Sequence, residues 1–167
     1  MRTSISVNVA APSARVFELA RDVTRWPELL PHYRRVSVHA RRDDHVVAQM
    51  IAVRAIGPLS VPVTWRAEQW SDDSDPDDLT LRFRHVRGVT RGMDVTWHIR
   101  PDGAEGGARV TIVHDFRRPL PLVGGDALPY LVDRLFTRAI AGRTLRTFKS
   151  IAEAGSSPGG AAADGGR

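Results

Sequence analysis

Cysteine is absent from this chain of 167 residues. Its absence excludes structural disulfides, thiol catalysis and cysteine-based zinc sites together. Long apolar runs are also missing, because no stretch approaches the roughly 20 consecutive apolar residues that span a bilayer. The first residues, Met1 to Ser4, lead into no apolar run like that of a signal peptide. We therefore expect a soluble cytoplasmic protein with no stable membrane insertion.

Lysine is almost absent too, since Lys149 is the only lysine among 24 basic residues. The formal net charge is +5, but the arginines are interspersed with acids and no run of four or more cations occurs. A nucleic-acid-binding protein normally has a clustered basic face, so we expect no nucleic-acid partner. The histidines form no H-E-x-x-H motif, and no phosphate-binding glycine loop precedes a helix. We expect neither a metal site nor a cofactor.

The first thirty residues predict one strand followed by two short helices. Residues 3–9 alternate polar and apolar side chains, as a half-buried strand does. Pro12 suits the first turn of a helix, which residues 22–24 then break. Residues 26–31 are typical of a second, very short helix that Pro31 closes.

From residue 34 to 116 the side chains alternate again and again between apolar and polar. Short turns at residues 42–44 and 57–58 separate the first segments. Consecutive strands joined by short loops indicate an antiparallel meander. The predicted strands cover residues 36–41, 46–54, 60–70, 79–85, 93–100 and 110–116.

After residue 126 the apolar period changes from two to 3.6, which predicts one amphipathic helix over residues 126–154. At 1.5 Å per residue such a helix is roughly 43 Å long, enough to cross a sheet. Gly142 in its interior marks a place where the helix can bend. Residues 155–167 are rich in glycine, alanine and serine, and we expect a disordered tail there.

Four motifs accompany this order of elements: Asn8-Val9-Ala10-Ala11-Pro12, the segment Asp22 to Tyr33 with Trp26-Pro27-Glu28-Leu29, Val113-His114-Asp115-Phe116, and Thr144-Leu145-Arg146. Together they resemble the START-like helix-grip superfamily (SRPBCC), in its bacterial polyketide cyclase/dehydrase branch. The resemblance implies an α+β fold in which a curved antiparallel sheet of about seven strands wraps around a long C-terminal helix. It also implies a single ligand-binding domain over residues 1–154, with two short helices after the first strand and an internal cavity.

The strand alternation predicts which side chains face that cavity. Cavities of this kind are mostly apolar with a few convergent polar groups. Three polar side chains, Gln69, His85 and His114, interrupt the inward faces; each is alternatively an ordinary core residue with a hydrogen-bond partner, or a strand-end residue in water. We expect the alternation to place Val63, Trp65, Phe83, Met93, Val95, Trp97 and Ile112 in the apolar wall. We add Leu135 from the last helix and Met50 from residues 46–54, although both faces of that strand are apolar and the alternation there does not assign sides.

The resemblance also implies roles for some of these residues. A tyrosine at the place of Tyr33 lines the pocket of aromatase/cyclase relatives, where a phenol can act as a general acid. We name Tyr33 as a candidate catalytic residue, together with His114 and His85, which the strand alternation places on inward faces. Relatives are expected to carry a cation where this chain has Gln69, and an amide stabilises an enolate less well. Arg54 would substitute if its side chain turned inward. We expect Trp26 to be a packing residue.

Three functions follow. The first is a cofactor-free cyclase or dehydratase of a polyketide intermediate, working mainly by positioning with modest acid-base help. The second is a non-catalytic carrier of a lipid, isoprenoid quinone or other apolar molecule. The third is an interaction module that docks an acidic partner such as an acyl carrier protein. The sequence leaves the oligomeric state open.

Overall fold

Seven antiparallel strands form one sheet in the computed structural model, which describes residues 2–88, 90–103, 106–116 and 138–155. The strand order is β1-β7-β6-β5-β4-β3-β2, so that β2 to β7 pair consecutively in sequence order and β1 pairs with β7. The predicted meander is confirmed. The strands are β1 (Arg2–Val9), β2 (Tyr33–Arg42), β3 (His45–Ile56), β4 (Leu59–Asp72), β5 (Leu79–Gly88), β6 (Met93–Asp102) and β7 (Gly107–Phe116).

Two short helices follow β1, as expected. Helix α1 (Ser13–Arg21) begins one residue after Pro12, which occupies the N-cap position instead of the first turn. A 3-10 turn (Val23–Arg25) starts at Asp22, whose carboxylate accepts the backbone N–H of Thr24 at 3.0 Å. The four-residue helix α2 (Trp26–Leu29) ends where the chain turns into β2.

The C-terminal helix α3 (Arg138–Ala154) is the described part of the helix predicted over residues 126–154. Residues 126–137 and the predicted tail after residue 155 lie outside the described residues. The helix is continuous through Gly142, where an added Cβ would lie 3.2 Å from Ile5 Cδ1. The missing side chain at Gly142 lets α3 pack closely on β1.

Burial along the strands follows the alternation that the sequence predicted. In β6, Met93, Val95 and Trp97 are buried while the residues between them are half-buried. Both faces of β3 are apolar, so that its inward face could not be chosen from the sequence. The structure buries Val46, Ala48, Met50 and Ala52 and leaves the intervening residues of that strand more exposed.

The C-terminal end of α3 is fixed to the corner between β1 and α1. Lys149 Nζ donates to the Asn8 carbonyl at 2.7 Å, and the Glu153 carboxylate accepts the backbone N–H of Ala10 at 2.8 Å. Arg15 Nε donates to the Ala152 carbonyl at 3.0 Å. These bonds hold α3 against the sheet while its first turns face the interior. In the described part of the chain, no helix combines the length and the apolar character needed to cross a membrane.

Candidate functional site

A cavity lies between the inner face of the sheet, helix α2 and the first turns of α3. The centre of a water molecule can move through about 70 Å³ of it. Since one water needs roughly 10–15 Å³ by this measure, the cavity has room for several waters or part of a small organic ligand. Seven of the predicted ligand contacts line it: Met50, Trp65, Phe83, Met93, Val95, Trp97 and Ile112. Val63, also expected in the wall, lines it as well.

The three candidate catalytic side chains, Tyr33, His85 and His114, line the same cavity. Strand register explains part of this convergence, because His114 of β7 lies opposite Val95 of β6, and Val95 lies opposite Phe83 of β5. These side chains therefore form one row across three strands on the inner face. Tyr33 enters from the start of β2, directly after the segment that contains α2.

His85 is held by two neighbours. Its Nδ1 lies 2.6 Å from Thr90 Oγ1, and its ring is stacked on Trp65 with centroids 5.9 Å apart. Burial, with a smaller contribution from the neighbouring His114, lowers the pKa of His85 to about 3. The imidazole is therefore uncharged at neutral pH and acts as a hydrogen-bonding group.

Thr90 reaches His85 because the chain between β5 and β6 folds back on itself. The backbone N–H of Gly92 donates to the His85 carbonyl at 2.8 Å, and that of Met93 donates to the Thr90 carbonyl at 3.1 Å. Gly88 begins this turn with a φ of +95°, in the region that favours glycine. The turn buries Thr90, which then lines the cavity beside His85.

At the other side of the cavity, Thr144 of α3 meets two rings that are adjacent in sequence. Its Oγ1 lies 2.9 Å from His32 Nε2 and is also hydrogen-bonded to the phenol of Tyr33. Burial raises the pKa of Tyr33 well above its ordinary value, and the bond from Thr144 opposes this in part. Burial and the Arg143 cation lower the pKa of His32 to about 4. Both rings are therefore uncharged at neutral pH.

Trp26 stands at the centre of the aromatic side chains. Its ring is 5.0 Å from Tyr33, 5.8 Å from Phe83 and 6.0 Å from Phe148, between ring centroids. Its Nε1 donates to the Ala20 carbonyl at 3.0 Å, which ties α2 to α1. Trp26 is thus a buried packing residue, as expected, and it also lines the cavity.

Three of the predicted ligand contacts are not in the described lining. Gln69 is buried, but its Nε2 donates to the Arg21 carbonyl at 2.7 Å, so its amide connects β4 to the end of α1. Arg54 is half-buried on the same side of β3 as Met50, beyond the described wall. Leu135 lies outside the described residues. The roles predicted for these three stay predictions.

Sequence reasoning missed three polar residues of this site: His32, Thr90 and Thr144. Thr144 lies on the apolar face of the last helix, where a hydroxyl is unusual. This position was the clue in the sequence that Thr144 belongs to the site. His32 precedes Tyr33, so its closeness to the candidate acid was also visible in the sequence. Thr90 depends on the folded turn after β5, which no motif indicated.

The described lining contains no aspartate, glutamate, lysine or arginine. Its polar groups are one phenol, two imidazoles and two hydroxyls, set among indole, phenyl and aliphatic side chains. Such a surface favours an uncharged, flat, mainly apolar ligand with a few oxygen atoms, because a buried charge without a partner is strongly disfavoured.

An antiparallel sheet closed by helices around an apolar cavity with a few polar groups defines an internal ligand-binding protein of the helix-grip type. The chain belongs to the family described as polyketide cyclase / dehydrase and lipid transport, whose model matches residues 9–140. The START-like fold expected from the sequence motifs is thereby confirmed.

A curated relative and two solved structures are similar to this chain. The granaticin polyketide synthase bifunctional cyclase/dehydratase of Streptomyces virginiae is 27% identical over 115 residues, which are 64% of this chain and 33% of that protein. The chain thus spans about a third of this relative's length. The structure of TTHA0849 from Thermus thermophilus is 25% identical with a TM-score of 0.73, over 94% of this chain and 100% of that one. The Zhui aromatase/cyclase from Streptomyces sp. R1128 is 18% identical with a TM-score of 0.70, over 92% and 93%.

Proposed function

We propose that this protein binds an uncharged polyketide intermediate in its internal cavity and promotes ring closure and dehydration of that intermediate. The observation that carries the proposal is the convergence of Tyr33, His85 and His114 on one aromatic-walled cavity. The family match and the similarity to a cyclase/dehydratase support the same chemistry. The cavity would fold a flexible chain so that two of its carbons meet, which is catalysis by positioning.

Each proposed side chain has a definite part in the reaction. His114 would remove a proton from a methylene group between two carbonyls, and the resulting carbanion would form a carbon–carbon bond to a second carbonyl carbon. Tyr33 would give its proton to the oxygen of that carbonyl, and the proton held by His114 would then go to the resulting hydroxyl as it leaves as water. The second proton of the same methylene carbon would return to the Tyr33 phenolate as the double bond forms. His85, uncharged at neutral pH, would hold a ligand oxygen by hydrogen bonding.

The first prediction concerns activity. A poly-β-ketone made in the assay by a minimal polyketide synthase should give a narrower set of cyclised products when this protein is present. Tyr33→Phe and His114→Phe should each lower the rate of product formation by about 100-fold, as expected for loss of a general acid or base. Liquid chromatography with mass spectrometry measures both rate and product distribution.

His39→Phe is the matched control, because His39 is exposed on the outer face of β2 and the same substitution there leaves the cavity intact. Its rate should equal that of the wild type. An unchanged product distribution with the wild-type protein would contradict the proposed activity. Equal rates for His114→Phe and His39→Phe would contradict the role of His114.

A second function, non-catalytic transport of an apolar molecule, is favoured by a different observation. The described lining holds no cation to stabilise an enolate, and the amide of Gln69 is used by the Arg21 carbonyl. Native mass spectrometry of the protein isolated from its host separates the two functions. A lipid or isoprenoid of constant mass bound to the protein, together with an unaltered product distribution, would favour the carrier.

Delivery of the substrate by an acyl carrier protein is part of the same proposal. Arg35, Arg41 and Arg42 are exposed on β2, the strand at the edge of the sheet. Exposed arginines on one strand suit an acidic protein partner, since complementary charge speeds encounter.

A further inference from the structure

The Thr144 hydroxyl connects a ring outside the cavity to a ring that lines it. Thr144 Oγ1 lies 2.9 Å from His32 Nε2 and is hydrogen-bonded to the Tyr33 phenol. The two rings pack edge to face with centroids 5.0 Å apart. Tyr33 and Thr144 line the cavity, whereas His32 lies behind them and is almost completely buried.

The position of the proton on His32 sets the direction of these hydrogen bonds. An uncharged imidazole carries one N–H, on either Nδ1 or Nε2. Nδ1 is buried and has no hydrogen-bond partner among the described residues, whereas Nε2 faces Thr144 Oγ1. The Ile140 carbonyl, one helical turn before Thr144, also favours a proton on this ring. Since a buried N–H without a partner is rare, the proton belongs on Nε2.

The charged groups around His32 keep its ring uncharged. Arg143 and Arg146 of α3 both act against protonation of the imidazole, in addition to its burial. With Nε2 donating to Thr144, the Thr144 proton is left to point at the oxygen of Tyr33. The phenol oxygen then accepts, and its own proton is directed into the cavity. A hydrogen bond accepted by a phenol also makes it a stronger donor, because successive bonds polarise one another.

We propose that His32 and Thr144 are positioning residues that fix Tyr33 as a hydrogen-bond donor, so that the cavity prefers a ligand with a carbonyl oxygen at this end over one of the same shape without it. This inference rests on the proposed function, because it takes the cavity to be the ligand site. It adds to that function a specificity for carbonyl oxygen and assigns it to two residues that do not carry out the reaction themselves.

Two uncharged probes of one shape test the proposal: 1-tetralone, a ketone, and tetralin, the same skeleton without oxygen. Their binding is followed by tryptophan fluorescence, since Trp26, Trp65 and Trp97 line the cavity. The quantity of interest is the ratio of the two affinities, which cancels general changes in the cavity. Thr144→Val, which keeps the shape and removes the hydroxyl, should lower the ketone preference about three- to tenfold, the value of one hydrogen bond.

Matched variants distinguish the effect of fixing the Tyr33 hydroxyl from an effect of changed packing in the cavity. Thr144→Ser keeps a hydroxyl and should retain the wild-type ratio, whereas Tyr33→Phe and His32→Phe should lower it. The carbonyl stretching frequency of bound, carbon-13-labelled 1-tetralone gives a second readout. It should lie at lower wavenumber in the wild type and in Thr144→Ser than in Thr144→Val and Tyr33→Phe.

The outcomes distinguish this inference from the function on which it rests. If the wild type binds both probes but Thr144→Val has the wild-type affinity ratio and carbonyl frequency, the positioning role is overturned and the cavity remains a ligand site. If the wild type binds neither probe, the proposed function fails, and the inference fails with it.

Discussion

His85 and His32 are buried imidazoles that the fold keeps uncharged. Burial is the main cause in both, and it lowers the pKa of His85 to about 3 and that of His32 to about 4. In the unfolded chain each ring takes up a proton near pH 6.5. The folded state therefore binds fewer protons than the unfolded state between these values. The stabilisation is complete above about pH 6.5 and is lost as the pH falls toward 4.

The free energy of unfolding should thus decrease by about 1 kcal/mol per pH unit for each of these two histidines between pH 6.5 and 4.5. Urea unfolding at several pH values measures this slope. His85→Gln and His32→Gln should each reduce the slope, whatever they do to the stability at pH 7. Thr96→Val, at a half-buried position of β6 without a titratable group, is the control and should keep the wild-type slope. A wild-type slope in His85→Gln would contradict the statement that burial keeps the His85 ring uncharged.

Individual polar residues were the least predictable part of the site. His85 and His114 were found because each interrupts an apolar face in a strand, where the period of two assigns sides without ambiguity. Gln69 follows the same rule and is buried, but its amide is used by the backbone of α1. Its partner lies 48 positions away in sequence, so a strand pattern could not identify it.

The turn between β5 and β6 connects two strands and also supplies a residue of the cavity wall. It buries Thr90 against His85, and it requires glycine at position 88 for two reasons. Gly88 has a φ of +95°, and an added Cβ would press on the backbone of Thr64 and Trp65 in β4. Gly57, in the turn between β3 and β4, also has a positive φ of +58°, but nothing lies within 4 Å of its added Cβ.

These two glycines predict different costs for the same substitution. Gly57→Ala should lower the free energy of unfolding by about 1 kcal/mol, the cost of a left-handed backbone for alanine. Gly88→Ala should lower it by about 2–4 kcal/mol, because overpacking against β4 adds to that cost. Chemical denaturation of both variants measures the difference. Equal losses of unfolding free energy in the two variants would contradict the predicted overpacking, because they would mean that β4 adjusts to the added methyl group without cost.

The elements themselves were largely predictable from the sequence, and the reason is physical. The strands and the two short helices were indicated by their apolar period and by turn residues, which act locally. The face of β3 was undecided because both of its sides are apolar, and only packing against the other elements selects Met50 and Ala52 for burial. The hydroxyl of Thr144 is unusual on an apolar helix face, but this pattern does not identify the distant rings to which Thr144 is hydrogen-bonded.

Across the molecule as a whole, a cavity remains because the helices do not completely fill the inner side of the sheet. Some of the aromatic rings that line it pack edge to face, as in the pairs of Trp26 with Tyr33 and of Tyr33 with Trp65. Such pairs favour a fixed arrangement of rings. The site is therefore built into the folded core, and its shape depends on elements from both ends of the chain.

If the cavity is the ligand site, a larger side chain inside it must weaken ligand binding, and one pair of variants on β6 measures this. Val95 and Thr96 are neighbours on β6; Val95 lines the cavity, whereas Thr96 is half-buried on the opposite face. Calorimetric titration of each variant with 1-tetralone gives its affinity. The comparison is between a phenyl ring placed inside the cavity and one placed on the outer face of the sheet. Val95→Phe should weaken binding by about tenfold or more, equivalent to about 1.4 kcal/mol, and Thr96→Phe should bind like the wild type. Equal affinities for Val95→Phe and the wild type would contradict the claim that the cavity is the ligand site.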